Sequence, residues 1–303
     1  MTLGMKSSPL YAELLEKLAS SLTILPDKPE ETPASCLMAL WHKAAGFEVS
    51  AASAINRPLS PLSPDFEKTL RLLVDARLGG KPLAYLTGRQ QFMGLDFIST
   101  PQAVIPRKDT EPLVQAVSHF LKERSMSGRP QVVIDVFTGS GNVPLSLAKR
   151  VPGPRYFGSD LSADAINLAR RNAEYLQLTS ACTFLCGDLF APFDHDHFRG
   201  QVDLISGAPP FISSSKVPNM PPEISQHEPA LAFEAGPFGV RLFLRLITEA
   251  PALLRTDGWL FFEVGLGQGV GILKRLSNDS TYRNAQTFCD DKGDIRVVAA
   301  QKK

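Results

Sequence analysis

The sequence predicts an α/β fold: a mostly parallel sheet covered by helices, preceded by a smaller helical N-terminal domain. Three observations carry that prediction. From about residue 130, short apolar strands alternate with amphipathic helices, the pattern of a parallel sheet with helices on both faces. Before about residue 90 the chain reads almost wholly as helices. Three successive strands of the alternating region lead into an acid, Asp135, Asp160 and Asp188, and ligands of open α/β sheets bind outside the carboxyl ends of the strands.

The elements follow in order. "SPLYAELLEKLASSL" opens on Ser-Pro and carries Leu10, Leu14, Leu15 and Leu18 at helical spacing. "TPASCLMALWHKAAGF" repeats the pattern. "SPDFEKTLRLLVDARLGG" adds an acid to the capping Ser-Pro and stops on Gly79-Gly80. "QQFMGLDFIST" (90–100) alternates as a strand and "QAVIPR" as a second, which together predict a small hairpin. "DTEPLVQAVSHFLKER" is a helix capped by Asp109 or Thr110, with Pro112 in its first turn. Strands are expected at 131–137, 155–160, 182–187, 202–207, 257–264, 285–289 and 295–301. Helices are expected at about 142–151, 162–177, 238–254 and 267–277. The last two strands lie close enough to pair as a hairpin, which would give the sheet an antiparallel strand. The expected division is a helical substrate-recognition domain over 1–90, a linking hairpin over 91–108 and a sheet domain over 109–303.

Composition narrows the classes. The chain has 303 residues, 44% hydrophobic, enough for two cores. Its 32 basic and 31 acidic residues balance, so the global excess of a nucleic-acid binder is missing and such a partner is not expected. No apolar run is long enough to span a bilayer, and "MTLGMKSSPLYAELLEK" lacks the apolar stretch of a signal peptide. These features point to a cytoplasmic protein without membrane contact. Cys36, Cys182, Cys186 and Cys289 are scattered; they read as ordinary buried thiols, with no metal site.

The first strand, "VVIDVFTGSG", holds Asp135 and runs into a turn containing Thr138, Gly139 and Gly141, then a helix. Glycine there lets backbone pass close to a nucleotide cofactor. Alone, the glycine motif is weak, because Gly139 and Gly141 also suit a plain turn. The second strand ends in Asp160, about 20 residues on, where an acid hydrogen-bonds ribose hydroxyls; Leu161 follows it. The third leads into "GDLF", placing Asp188 and Leu189 at the adenine. Asp164 reads as a first-turn helix acid facing solvent. The turn lacks the full G-x-G-x-x-G, and the next strand ends "DLISGAPPF". Together these favour S-adenosylmethionine over a dinucleotide.

Several segments then match one family in order: "GGKPLAYLTGRQQFMGL" (79–95), "VIPRKDTEPLV" (104–114), "DVFTGSG", "GDLF", "DLISGAPPFI", "EPALAFEAG" and "DDKGDIRVV". Over about residues 65–303 the chain resembles the HemK/PrmC family of S-adenosylmethionine-dependent methyltransferases. These methylate the glutamine amide of the Gly-Gly-Gln loop in peptide-chain release factors. The resemblance implies a Rossmann-like class I methyltransferase sheet. It also implies a site in which the asparagine oxygen of Asn-Pro-Pro-Tyr and the first proline's carbonyl accept the two amide N–H groups, fixing the nitrogen toward the methyl. The tyrosine packs on the planar acceptor.

Two departures stand out. Phe137 replaces the first glycine of the cofactor turn. Ala208, Pro209, Pro210 and Phe211 replace Asn-Pro-Pro-Tyr, so the Pro209 carbonyl and the Phe211 face remain but the side-chain acceptor does not; Ala208 stays beside the cofactor. "NMPPEISQHEPALAFEAGPFG" (219–239) follows, with Glu223, Glu228 and Glu234 around His227. Carboxylates beside a Pro-Pro pocket suit a guanidinium, whose donor fork they match. The preferred acceptor is therefore a small molecule or free amino acid with a guanidino group, such as arginine. Pro209, Phe211, Glu228 and Glu234 would be catalytic. Glu223, His227, Pro210 and Arg107 would bind substrate, with His227 taking the proton released after transfer. Thr110 and Glu111 stand with Arg107 at positions that the resemblance puts near the cofactor entrance. A release-factor glutamine is the alternative acceptor. A catalytically silent S-adenosylmethionine-binding protein is the second alternative.

Overall fold

The same device starts three of the N-terminal helices. Ser8, Thr32 and Ser63 each precede a proline, and each side chain accepts a hydrogen bond from the backbone N–H three residues on. That satisfies a donor which the first turn leaves unpaired, while proline, lacking the N–H, starts the helix without loss. The computed structural model describes residues 8–61, 63–123 and 131–303. Arg124, the last residue of the helix expected from "DTEPLVQAVSHFLKER", and residues 1–7 of the N-terminal stretch lie outside them.

Two compact units result. The first runs to Pro101 and takes in Ile105–Lys108 and Pro221–Glu228. Its helices are α1 (Pro9–Ser21), α2 (Pro33–Ala44), α3 (Ala51–Ala54), α4 (Pro64–Leu78) and α5 (Leu83–Thr87). They bury Leu14, Leu18, Trp41 and Leu70 in one core. Trp41 is fully buried between the rings of Tyr11 and Phe66, and its indole N–H donates to the Ser60 carbonyl at 2.9 Å.

The hairpin differs from its expectation. Both strands come from one segment, β1 (Arg89–Phe92) and β2 (Leu95–Ile98), joined by Met93-Gly94. Both turn residues have positive φ, 52° and 82°, the backbone that matches a right-handed strand twist in a two-residue hairpin loop. "QAVIPR" forms no strand. The hairpin and Ile105–Lys108 also belong to the first unit, not to a separate linker.

The second unit comprises Gln102–Val104, Asp109–Met220 and Pro229–Lys303. Its seven strands are β3 (Val132–Val136), β4 (Arg155–Asp160), β5 (Cys182–Cys186), β6 (Val202–Gly207), β7 (Leu254–Glu263), β8 (Tyr282–Cys289) and β9 (Ile295–Lys302). They lie in the order β5-β4-β3-β6-β7-β9-β8. The first five are parallel, and β9 runs antiparallel to both its neighbours. Helices α6 (Glu111–Glu123), α7 (Asn142–Arg150), α8 (Ala163–Tyr175), α10 (Arg241–Glu249) and α11 (Gly269–Ser277) complete it; the one-turn α9 (Pro222–Ser225) belongs to the first unit. The sheet is the Rossmann-like one that the resemblance implies, with β9 inserted antiparallel between β7 and β8. Strand β6 is buried along its whole length, as a central parallel strand must be. The order reverses at β3, between β4 and β6, and that reversal opens the crevice in which such sheets bind ligands.

Two smaller expectations shift. The helix expected over 238–254 is confined to α10 with a short 3-10 turn after it, because β7 already begins at Leu254. Cys36 and Cys182 are buried thiols, but Cys186 and Cys289 are exposed. No helix among the described residues is long and apolar enough to cross a membrane.

Candidate active site

In the second unit Asp135, Asp160 and Asp188 stand near or just past the carboxyl ends of β3, β4 and β5. Asp135, on β3, is 1% exposed, and its carboxylate accepts from the Ser206 hydroxyl on β6 at 2.7 Å. Burial pushes this carboxyl up to about 7, against the opposing pull of hydrogen bonds. The turn that follows has positive φ at Phe137, Gly139 and Gly141 (60°, 54° and 79°). At Gly141 an added Cβ would crowd Phe184, Ala169 and Leu145. At Gly139 it would meet no atom within 4 Å, so the turn presents bare backbone to open space.

Asp160 holds that turn. One carboxylate oxygen accepts from Gly139 N and the other from Ser162 N, each at 2.9 Å. Burial raises its pKa, and these backbone N–H groups work against the rise. The Leu161 N–H adds a third donor, and a carboxylate, with about four lone-pair sites, still has room for one more. Leu161 is 57% exposed beside it. Asp188 is exposed and accepts from Arg245 Nη1 at 2.9 Å, while Leu189, with φ 51°, is buried. Thr138 is buried and its N–H donates to Ser159 O. An open glycine turn, an acid at its rim and an exposed leucine fit an adenosyl cofactor.

The other wall is the end of β6. Ala208 is half-buried, Pro209 buried, and Pro210 and Phe211 half-buried. Phe211 lies so close to Gly265 that an added Cβ there would stand 2.7 Å from its ring; at Gly239 one would stand 2.4 Å from its carbonyl oxygen. The Gln268 amide donates to that carbonyl at 3.2 Å. Phe137 also borders this end: its ring is 3.6 Å from a Cβ built on Gly207. Just beyond, Ile212 N donates to Phe233 O and Ala235 N to Ile212 O. This bridge seats the exposed Glu234 opposite Ile212, with its carboxylate accepting from the Ser214 hydroxyl at 2.8 Å.

Glu223 and Glu228, two of the three carboxylates expected to meet the acceptor, are engaged by cations of the first unit. Both are buried in the first unit and neutralised by its own cations. Glu223 accepts from Lys28 Nζ and from Arg77 Nη1, both at 2.8 Å. Burial alone would raise its pKa, but Lys28 and Arg77 hold it below the ordinary value. Glu228 accepts from Ile105 N at 3.0 Å and pairs with Arg107, whose Nε also meets Asp27 at 2.7 Å. Glu31 closes the network on Arg77 at 2.9 Å. Arg107 is thereby engaged within the first unit, where His227 is half-buried. A signal for this was present: Arg77 follows Leu70 and Val74 on the buried face of α4, and a cation on an apolar helical face needs buried acids. Gln268 had no comparable signal, because its partners are backbone groups.

A methyltransferase-domain family model matches residues 129–230. The release factor glutamine methyltransferase of Moorella thermoacetica is 38% identical over 231 residues, 76% of this chain and 78% of that protein. That of Geobacter sulfurreducens is 35% identical over 243 residues, 80% of each chain. Among solved structures, the human hMettl16 catalytic domain in complex with an RNA hairpin superposes with a TM-score of 0.53 at 19% identity, covering 75% of this chain and 80% of that one. The likeness is one of fold.

Proposed function

This chain belongs to the release factor glutamine methyltransferase family, and on that premise we propose that it methylates the side-chain amide nitrogen of a release-factor glutamine. Its class is an S-adenosylmethionine-dependent methyltransferase. The observation that carries the acceptor is the 38% identity over three quarters of the chain to a relative of that name. The guanidino reading rests on Ala208 and on the Glu223–Glu234 loop, and two of that loop's carboxylates, Glu223 and Glu228, are spent on Lys28, Arg77 and Arg107.

The bound cofactor supplies an electrophilic methyl on a sulfonium. Asp160 would accept from the ribose hydroxyls, and Gly139 and Gly141 would let backbone approach closely. Leu161 and Leu189 would flank the adenine and Asp188 would accept its amino group. Asp135, Thr138 and Ala208 would border the methionine end. An amide nitrogen is a poor nucleophile, so the site must hold it in line and exclude water. The Pro209 carbonyl would accept one amide N–H and the Phe211 ring would cover the amide plane. Ala208 offers no acceptor for the second N–H. Glu234, bridged to Ile212 one residue past Phe211, would accept it instead. Methyl transfer leaves a cationic nitrogen, whose proton passes to that carboxylate.

The test is a mass-spectrometric methyl-transfer assay in which a release factor with a Gly-Gly-Gln loop runs beside free arginine. Methylation of the loop glutamine is the expected result. Methylated arginine with an unmodified release factor would overturn the reading.

A further inference from the structure

We propose that Gln268 is a positioning residue for the acceptor, acting through the backbone of Phe211. This rests on the end of β6 being the acceptor site. The Gln268 amide makes three bonds, all to backbone. Its nitrogen donates to Phe211 O at 3.2 Å and to Gly239 O at 3.3 Å; its oxygen accepts from Gly265 N at 2.9 Å. One side chain thus fastens three segments: the end of β6, the turn before α10 and the end of β7.

Both flanking glycines are shaped to the same purpose. A Cβ at Gly239 would stand 2.4 Å from the Phe211 carbonyl oxygen, and φ there is 66°. A Cβ at Gly265 would stand 2.7 Å from the Phe211 ring and 2.7 Å from Gln268 Oε1. Ring and carbonyl of Phe211 are therefore held from two sides. Proline fixes φ at Pro210, which removes one of the rotations between the Pro209 carbonyl and the Phe211 anchor. Where Ala208 contributes no side-chain bond, the aim of that carbonyl depends more heavily on the anchor. A primary amide suits the post because it both donates twice and accepts. Glutamate keeps the acceptor but loses both donors; methionine keeps the shape and loses all three bonds.

The experiment compares the full-length protein with Gln268→Met, Gln268→Glu and Gly265→Ala. The readouts are kcat and KM on the release factor, S-adenosylmethionine affinity by calorimetry, and amide exchange by mass spectrometry. A misaimed acceptor should lower kcat about 10- to 100-fold in all three. Cofactor affinity should stay within about twofold, since no Gln268 bond reaches the glycine turn. A merely structural glutamine would instead lower stability and cofactor affinity together with kcat; that pattern, or kcat within threefold of the parent, overturns the proposal. If the parent methylates arginine and not the release factor, the acceptor reading fails and the same kcat comparison is made on arginine. If it methylates neither, exchange decides: faster exchange over 207–214 and 236–240 in Gln268→Met supports the anchor, and unchanged exchange overturns it.

Discussion

Ala208 leaves one acceptor where an amide presents two N–H groups. With Glu234 as the second, Glu234→Ala should lower kcat/KM on the release factor about tenfold or more, from the roughly 1–3 kcal/mol of a lost partner. Adding Ala208→Asn to that variant should restore most of the loss, while in the parent it should add little. Equal gains in both backgrounds would show that Glu234 never met the amide. Asp135 gives a second prediction at this scale. Its carboxyl, pushed up to about 7, keeps a proton when folded that the unfolded chain has released above about 4. Folded chain then binds more protons than unfolded, so stability falls as pH rises from about 4 to about 7 and levels off above. Asp135→Asn should flatten part of that slope in urea melts, gaining most at pH 8. Glu263, also pushed up to about 7 by burial, and Asp160 and Glu31, raised by burial as well, contribute to the remainder. Parallel pH curves for parent and variant would refute the assignment. The three acids, the glycine turn and the Pro-Pro element were legible in the sequence because each needs a particular residue type at a strand end. Whether a carboxylate there is free or spent was not legible.

The segment 219–239 shows why at the scale of elements. In sequence, Glu223, Glu228 and Glu234 look alike, three acids in one loop. In the structure the one-turn α9 carries Glu223 to Lys28 and Arg77, and Glu228 follows to Arg107, whereas Glu234 lies on the bridge to Ile212. The partners lie up to 195 residues away in the chain, beyond the reach of any local pattern. The hairpin departs from its pattern for the opposite reason: Met93-Gly94 is a local turn signal inside a stretch whose alternation reads as one strand. The first unit's network makes a definite prediction. Removing one member strands a buried charge, which costs about 3–5 kcal/mol. Arg77→Met should therefore lower the stability of the first unit by that order in denaturant melts. Glu228→Gln should act in the same direction and leave the acceptor KM within about twofold, because its carboxylate serves Arg107 and Ile105 N. A raised KM with unaltered stability would return Glu228 to the substrate.

At the scale of the whole molecule, the chain enters the first unit three times: up to Pro101, at Ile105–Lys108 and again at Pro221–Glu228. The sequence suggests a simple cut near residue 109, because the helical texture ends before it and the strand–helix alternation follows. Such a cut separates Glu223 and Glu228 from all their partners, since Lys28, Arg77, Ile105 and Arg107 precede it. Two carboxylates that are now neutralised would have to face water. A chain beginning at Asp109 retains every strand of the seven-stranded sheet and the Asp160–Gly139 bond, so its sheet should form. Its 221–228 segment should not hold. Limited proteolysis should cleave that fragment first within 221–228, at protease levels that leave the same bonds intact in the full chain. Protection of 221–228 in the fragment equal to that in the full chain would mean that the segment folds with the sheet, and that the buried ion pairs merely decorate it.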